Sequence, residues 1–207
     1  MTTAPGAASI TERRAAFINH LYGLHHALSS PIPQRVSDAR RILARLRRSI
    51  TGPRQQAEAY DVVFAFDPPM SEQDTWLLVA GLFAVNPQPR SRTAGPRTLG
   101  ASMRRLTELR GSSADRRFIQ LLSVERTALP HYLRQTVRLL STENVPLDYR
   151  QLLDDLVTLL DARRSEDEAH RVRLNWARDF HRRATTTRTT PTATDESESD
   201  TLSGDPQ

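Results

Sequence analysis

Arginine is the residue in this chain best placed to do chemistry. All 29 basic side chains are arginine and none is lysine. A guanidinium is a flat fork of five donors that grips phosphate oxygens in pairs, whereas an ammonium is a hydrated point charge. A GC-rich genome also favours arginine codons, so placement says more than abundance. At about 100° per residue, Val36, Ala39, Leu43, Leu46 and Ile50 share one helical face. Arg41, Arg45 and Arg48 lie opposite them, with Arg40 and Arg47 flanking the apolar stripe. Between 127 and 142, Leu129, Leu133, Val137 and Leu140 face inward while Arg134 and Arg138 face outward together. The last helix sets Val172, Trp176 and Phe180 on one side and Arg171, Arg178 and Arg182 on another. No acid stands four residues from Arg41, Arg45, Arg48, Arg134 or Arg138. Like charges at that spacing cost a helix a few tenths of a kcal/mol each. Arginines left uncompensated in this way are expected to meet a phosphate backbone.

Other chemistry is poorly supported. His20, His25 and His26 lie close in sequence, and Asp154, Asp155 and Asp161 could be imagined as metal ligands of a nuclease. Adjacent residues on a helix diverge by about 100°, which separates His25 from His26 and Asp154 from Asp155. No zinc-protease helix, Gly-rich phosphate loop or nucleophile elbow occurs, so no catalytic residue, metal site or cofactor is expected. A helical DNA-binding regulator is the alternative. However, no short helix–turn–recognition-helix unit is evident, and the arginines are spread over the whole length. Trp76, Phe83, Trp176 and Phe180 could stack on bases, but their apolar neighbours place them in a core. Tyr149 reads as either core or partner contact.

The elements that must position these groups are helices. Ser9 and Glu12 have capping-box spacing ahead of Phe17, Leu21, Leu24 and Leu28. Further helices are expected at 34–50, at 55–66 and after a cap at Ser71, where WLLVAGLFAV is apolar on every side and reads as the buried centre. More follow at 99–110, 114–124, 127–142, 147–161 and 166–183. The fold class is all-α: a bundle of about eight to nine helices over 9–183. The Pro/Gly/Arg stretch 86–98 is a candidate hinge between two helical subdomains. Residues 1–8 and the Thr-rich acidic tail 184–207 have too little apolar surface to offset chain entropy and are expected to be disordered. The tail concentrates negative charge: residues 1–184 hold 28 arginines against 19 acids, a net of +9, whereas the whole chain carries +5. So basic a body suggests a polyanionic partner, for which an acidic tail is placed to compete. The absence of cysteine fits a reducing cytoplasm, and no apolar run is long enough to span a membrane.

Three stretches carry a resemblance. They are LVAGLFAVNP with the following TLGASMRRL, then DRRFIQLLSVERTALPHYLRQTVRLL, then VPLDYRQLLDDLVTLLD followed by VRLNWARDF. In order and spacing they resemble the CasB family, the small subunit of the type I-E CRISPR surveillance complex Cascade. The similarity runs from about residue 10 to 183. It implies an all-helical, non-catalytic protein whose partners are the other Cascade subunits and crRNA, the target DNA with its displaced strand, and a second copy of itself. Arginines at matching positions inherit a nucleic-acid role as an expectation. Arg116 and Arg117 form the R-R pair, Arg126 follows an acid, Arg134 and Arg138 lie in the L-R-x-x-x-R helix, and Arg40 and Arg41 lie in the basic second helix. For Arg116 and Arg126, beside Asp115 and Glu125, bracing a helix end by ion pairing is the competing expectation. Tyr149 stands where the family often has tryptophan, and the tail lies outside the similarity.

Overall fold

Helix starts follow from side chains that satisfy the first free amide groups. In the computed structural model, which describes residues 8–90 and 98–182, Ser9 and Glu12 form a reciprocal capping box that opens α1 (Ile10–Ala27). Ser165 and Glu168 do the same for α10 (Glu166–His181). Thr98 caps α6 (Leu99–Arg110), and the Asp148 carboxylate accepts from two amides at the start of α9 (Tyr149–Leu160). Proline sets the first turn of α2 (Pro33–Ser49) and of the four-residue α3 (Pro53–Gln56). The remaining elements are a 3-10 turn at Ala57–Ala59, α4 (Tyr60–Phe64), α5 (Gln73–Val85), α7 (Ser112–Ser123) and α8 (Leu129–Thr142).

Eight of these helices have twelve residues or more. The helix expected at 55–66 is instead broken into α3, the 3-10 turn and α4. Ser71 is not a cap: α5 begins at Gln73 with Glu72 at its N-cap, and Glu72 turns its carboxylate to other work. Residues 1–7, 91–97 and 183–207 lie outside the described residues, and with them most of the candidate hinge and the tail.

α5 is the centre. Its residues 75–84 are all buried, which is why that run is apolar on every side. α2 packs closely against it at Gly81, where a Cβ would meet Ile50 Cγ2 at 2.0 Å. The C-terminal half closes through α6 and α10, the most extensively packed pair. Gly100 makes that approach possible, because a Cβ there would sit 1.9 Å from the Trp176 carbonyl oxygen. One hydrophobic cluster then runs from Phe17 on α1 to Phe180 on α10.

Polar side chains join the two halves. Arg14 of α1 donates to Glu72 at 2.5 and 3.0 Å and to Asp154 of α9 at 3.0 Å. The same Glu72 accepts the Trp76 indole N–H at 3.0 Å. Tyr149 is fully buried, and its hydroxyl meets the Asn86 and Leu82 carbonyls at 3.0 and 3.2 Å. It is therefore core. Gln88 accepts from the Leu147 amide at 2.9 Å and donates to the Val145 carbonyl at 2.8 Å.

Asp155 is buried at 9 % exposure and accepts from the Trp176 indole at 2.6 Å and from Gln151 at 2.9 Å. Burial pushes its carboxyl up to about 6, with the Asp154 and Asp148 charges adding to the rise and the two donors opposing it. A raised native pKa means that the folded state binds the extra proton between pH ~4 and ~6, so stability falls as pH rises through that window. The loss is roughly 2 to 3 kcal/mol. In Asp155→Asn this part of the pH dependence should vanish, whatever constant offset the amide brings. Urea unfolding of both proteins from pH 4 to 7 checks this, and parallel pH profiles would contradict it.

Candidate nucleic-acid interface

The arginines divide by what they touch. One group braces helix ends. The last carbonyls of a helix have no partner within it and carry its negative dipole end, which suits a guanidinium. Arg47 donates twice to the Ala84 carbonyl at the end of α5, at 3.0 and 2.9 Å. Arg126 donates to the Leu159 carbonyl at the end of α9 at 3.1 Å and reaches Glu166 at 3.5 Å. Arg173 meets the Val124 carbonyl after α7 at 3.1 Å, and Arg104 donates to the Arg182 carbonyl after α10. For Arg126, bracing is therefore the observed role, with Glu166 as its acid in place of the adjacent Glu125.

A second group is neutralised. Arg41 pairs with Asp38 at 3.0 Å, Arg45 with Asp61 at 2.5 Å, and Arg48 with Glu58 at 2.6 Å. This corrects the expectation that the α2 arginines lack counter-charges. Asp38 lies three residues before Arg41, not four. Glu58 and Asp61 come from the 3-10 turn and α4, which fold back along the outer face of α2. Exposed pairs of this kind are worth about 0 to 1 kcal/mol.

The third group, which includes Arg40, Arg54, Arg116, Arg117, Arg134 and Arg138, has no hydrogen bond or ion pair among the described residues. Arg40 lies in a shallow groove with Pro31, Pro33 and Val36. Arg116 and Arg117 are exposed on the outer face of α7, and Asp115 does not pair with Arg116. Arg134 is half-buried, and its Nε is shielded from solvent without a partner. Its pKa is pushed below the usual arginine value, first by burial and then by the nearby Arg138 charge. Arg138 is exposed one turn further along α8.

Of this third group only Arg134 lines the groove in which it meets a braced arginine. Arg134 and Arg126 line one open groove of 560 Å³ with Gly52, Pro53 and Gln56 beyond the end of α2 and with Asp74 and Thr75 at the start of α5. Arg54, next to Pro53, is exposed beside this groove. Sequence reading passed it over because it sits in the turn between two expected helices rather than on a patterned face. The α7 pair and Arg40 lie on other elements and do not line this groove.

The imagined metal ligands are engaged elsewhere. Asp154 meets Arg14, Asp155 is held by Trp176, and Arg163 holds the Asp161 carboxyl down to about 2. Among the described residues no group of three His, Asp or Glu side chains is placed to hold a metal. No described helix is long and apolar enough to cross a membrane.

Among the described residues, the body is strand-free and helical, an all-α protein with unpaired guanidinium groups on several helices. The chain matches the family model for CRISPR-associated protein Cse2 over residues 42–181. It is also similar to solved structures. With a Cse2-family protein of Thermus thermophilus it shares 25% identity at a TM-score of 0.61, over 84% of this chain and 98% of that one. CasB of M. ruber is 29% identical with a TM-score of 0.60, covering 81% and 91%. CasB of Thermobifida fusca is 25% identical with a TM-score of 0.60, covering 86% and 100%. A chain of a CRISPR RNA-guided surveillance complex, 23% identical with a TM-score of 0.61, shares the fold. No curated protein matches by sequence. This chain belongs to the Cse2 family, the CasB-type small subunit of Cascade.

Proposed function

We propose that this subunit works without catalysis, holding nucleic-acid backbone so that the crRNA–target R-loop and its displaced strand persist. Opening target DNA and pairing it with guide RNA is nearly isoenergetic, so modest backbone contacts decide which state lasts. The displaced strand competes with the guide, and guanidinium groups on its phosphates slow its return. Such contacts read no sequence.

The observation that carries this reading is the Arg134–Arg138 pair. Burial and then the Arg138 charge work against the Arg134 cation, whose Nε–H lacks an acceptor. A phosphate in the groove that Arg134 lines meets its terminal nitrogens rather than the shielded Nε, and offsets both charges. Charge-assisted bonds of this kind contribute roughly 1.5 to 3 kcal/mol. Arg40, Arg54, Arg116 and Arg117 extend the same chemistry over α2, α3 and α7. Arg41, Arg45 and Arg48 contribute less, because a phosphate must first displace a carboxylate.

Replacing Arg134 and Arg138 with Ala in the assembled complex should shorten R-loop lifetime roughly ten-fold, equivalent to one such bond, without changing target preference. Strand-opening assays at two salt concentrations measure this, and an unaltered lifetime would refute the assignment.

A further inference from the structure

We propose that the acidic run at 195–200 of this same chain docks on the outer face of α7, on Arg116 and Arg117, and competes there with polyanions. Three observations carry it. First, α10 ends at His181 beside α7, because Phe180 stacks on Phe118 with ring centroids 4.2 Å apart. The chain therefore leaves the described body next to the two residues that precede Phe118. Second, the cations there differ in availability. Arg104 is held by the Arg182 carbonyl and Arg105 by Glu108 at 3.0 Å, whereas Arg116 and Arg117 hold nothing among the described residues. Third, the sequence at 195–200 is DESESD, four carboxylates in six residues, followed by Leu202. Ile119 is 58 % exposed on the same helix and offers a seat for that leucine.

Reach is not limiting: the 13 residues from Arg182 to Asp195 span up to about 45 Å when extended. Asp115 is the acid nearest the site on α7 itself; it is partly buried and does not pair with Arg116. Carboxylates tethered to the body meet the arginines at a high effective concentration, so even a weak contact competes with a free ligand.

The chain has no cysteine, so Ser199→Cys carries a nitroxide at one defined place. In the full-length protein without nucleic acid, the label should broaden the backbone amide signals of residues 116–120 at low salt. The broadening should fade at ~0.5 M salt and in Arg116→Gln/Arg117→Gln, whose helicity should be unchanged. Absent broadening, broadening centred on Arg134 and Arg138, or broadening that appears only between labelled and unlabelled copies would overturn the proposal. A full-length chain with Asp195→Asn, Glu196→Gln, Glu198→Gln and Asp200→Asn should bind a thymidine 20-mer about three-fold more tightly at low salt. Equal affinities would overturn the competition. The first readout contains no nucleic acid, so it stands or falls separately from the proposed grip on the R-loop.

Discussion

Gly100→Ala should destabilise the protein by about 3 kcal/mol, an overpacking cost at the upper end of the usual range. The added Cβ would sit 1.9 Å from the Trp176 carbonyl oxygen and 2.8 Å from its carbon, which are backbone atoms of α10. No side-chain rotation relieves that clash; α6 and α10 must move apart. They are the most closely associated helices, and Thr98 fixes their register by donating to Asp179 at 2.7 Å. The melting temperature should fall by roughly 10 °C for a chain of this size. Gly23→Ala is the control. Nothing lies within 4 Å of a Cβ there, so the same change in a helix interior should stabilise by about 0.5 to 1 kcal/mol. Equal melting temperatures for Gly100→Ala and the parent would show that the two helices do not meet as described.

Arg14→Ala should cost a comparable amount, about 3 kcal/mol, as removal of one partner from a largely buried ion pair does. Arg14 joins three helices. Its guanidinium lies on Glu72, whose side chain is 11% exposed, and on Asp154. Burial works against the arginine charge, but the two carboxylates outweigh it and hold the pKa above the usual arginine value. Without Arg14, Glu72 keeps only the Trp76 indole and a desolvated negative charge. Adding Glu72→Gln should recover part of the loss, because the amide oxygen still accepts from Trp76 while the charge is gone. Urea unfolding of the single and double variants measures this. A double variant less stable than Arg14→Ala alone would contradict the clamp.

How far the sequence could be read depended on whether a feature was local. The Ser9–Glu12 box, the all-round apolar run of α5 and the inward rows of α2 and α8 depend on residues within a few positions of one another, and each appears as expected. The motifs behind the family resemblance also gain physical reasons. The glycine of TLG is the α6–α10 contact. The NP that follows α5 and the VPLDY before α9 are two sides of one polar seam through Gln88, Asn86 and Tyr149. Charge compensation on α2 was legible only for Arg41, whose partner Asp38 lies three residues away; for the others it is tertiary, since Glu58 and Asp61 reach Arg48 and Arg45 only once α3 and α4 fold along α2. Nor was the use of Arg47, Arg104 and Arg173 at helix ends legible, since periodicity says which way a side chain points but not which helix ends there. For Arg126 bracing was one of two expectations, but its partners are the Leu159 carbonyl and Glu166 rather than Glu125.

The central claim is that arginines without protein partners are the ones that hold nucleic-acid backbone. The salt dependence of binding to a single-stranded oligonucleotide tests it most directly, because each neutralised phosphate adds about 0.7 to the logarithmic slope. Arg134→Ala/Arg138→Ala should lower that slope by about 1.4, while Arg41→Ala/Arg48→Ala, which removes carboxylate-paired cations, should leave it nearly unchanged. Equal losses from the two double variants, or no loss from the first, would contradict the division of the arginines on which the account depends.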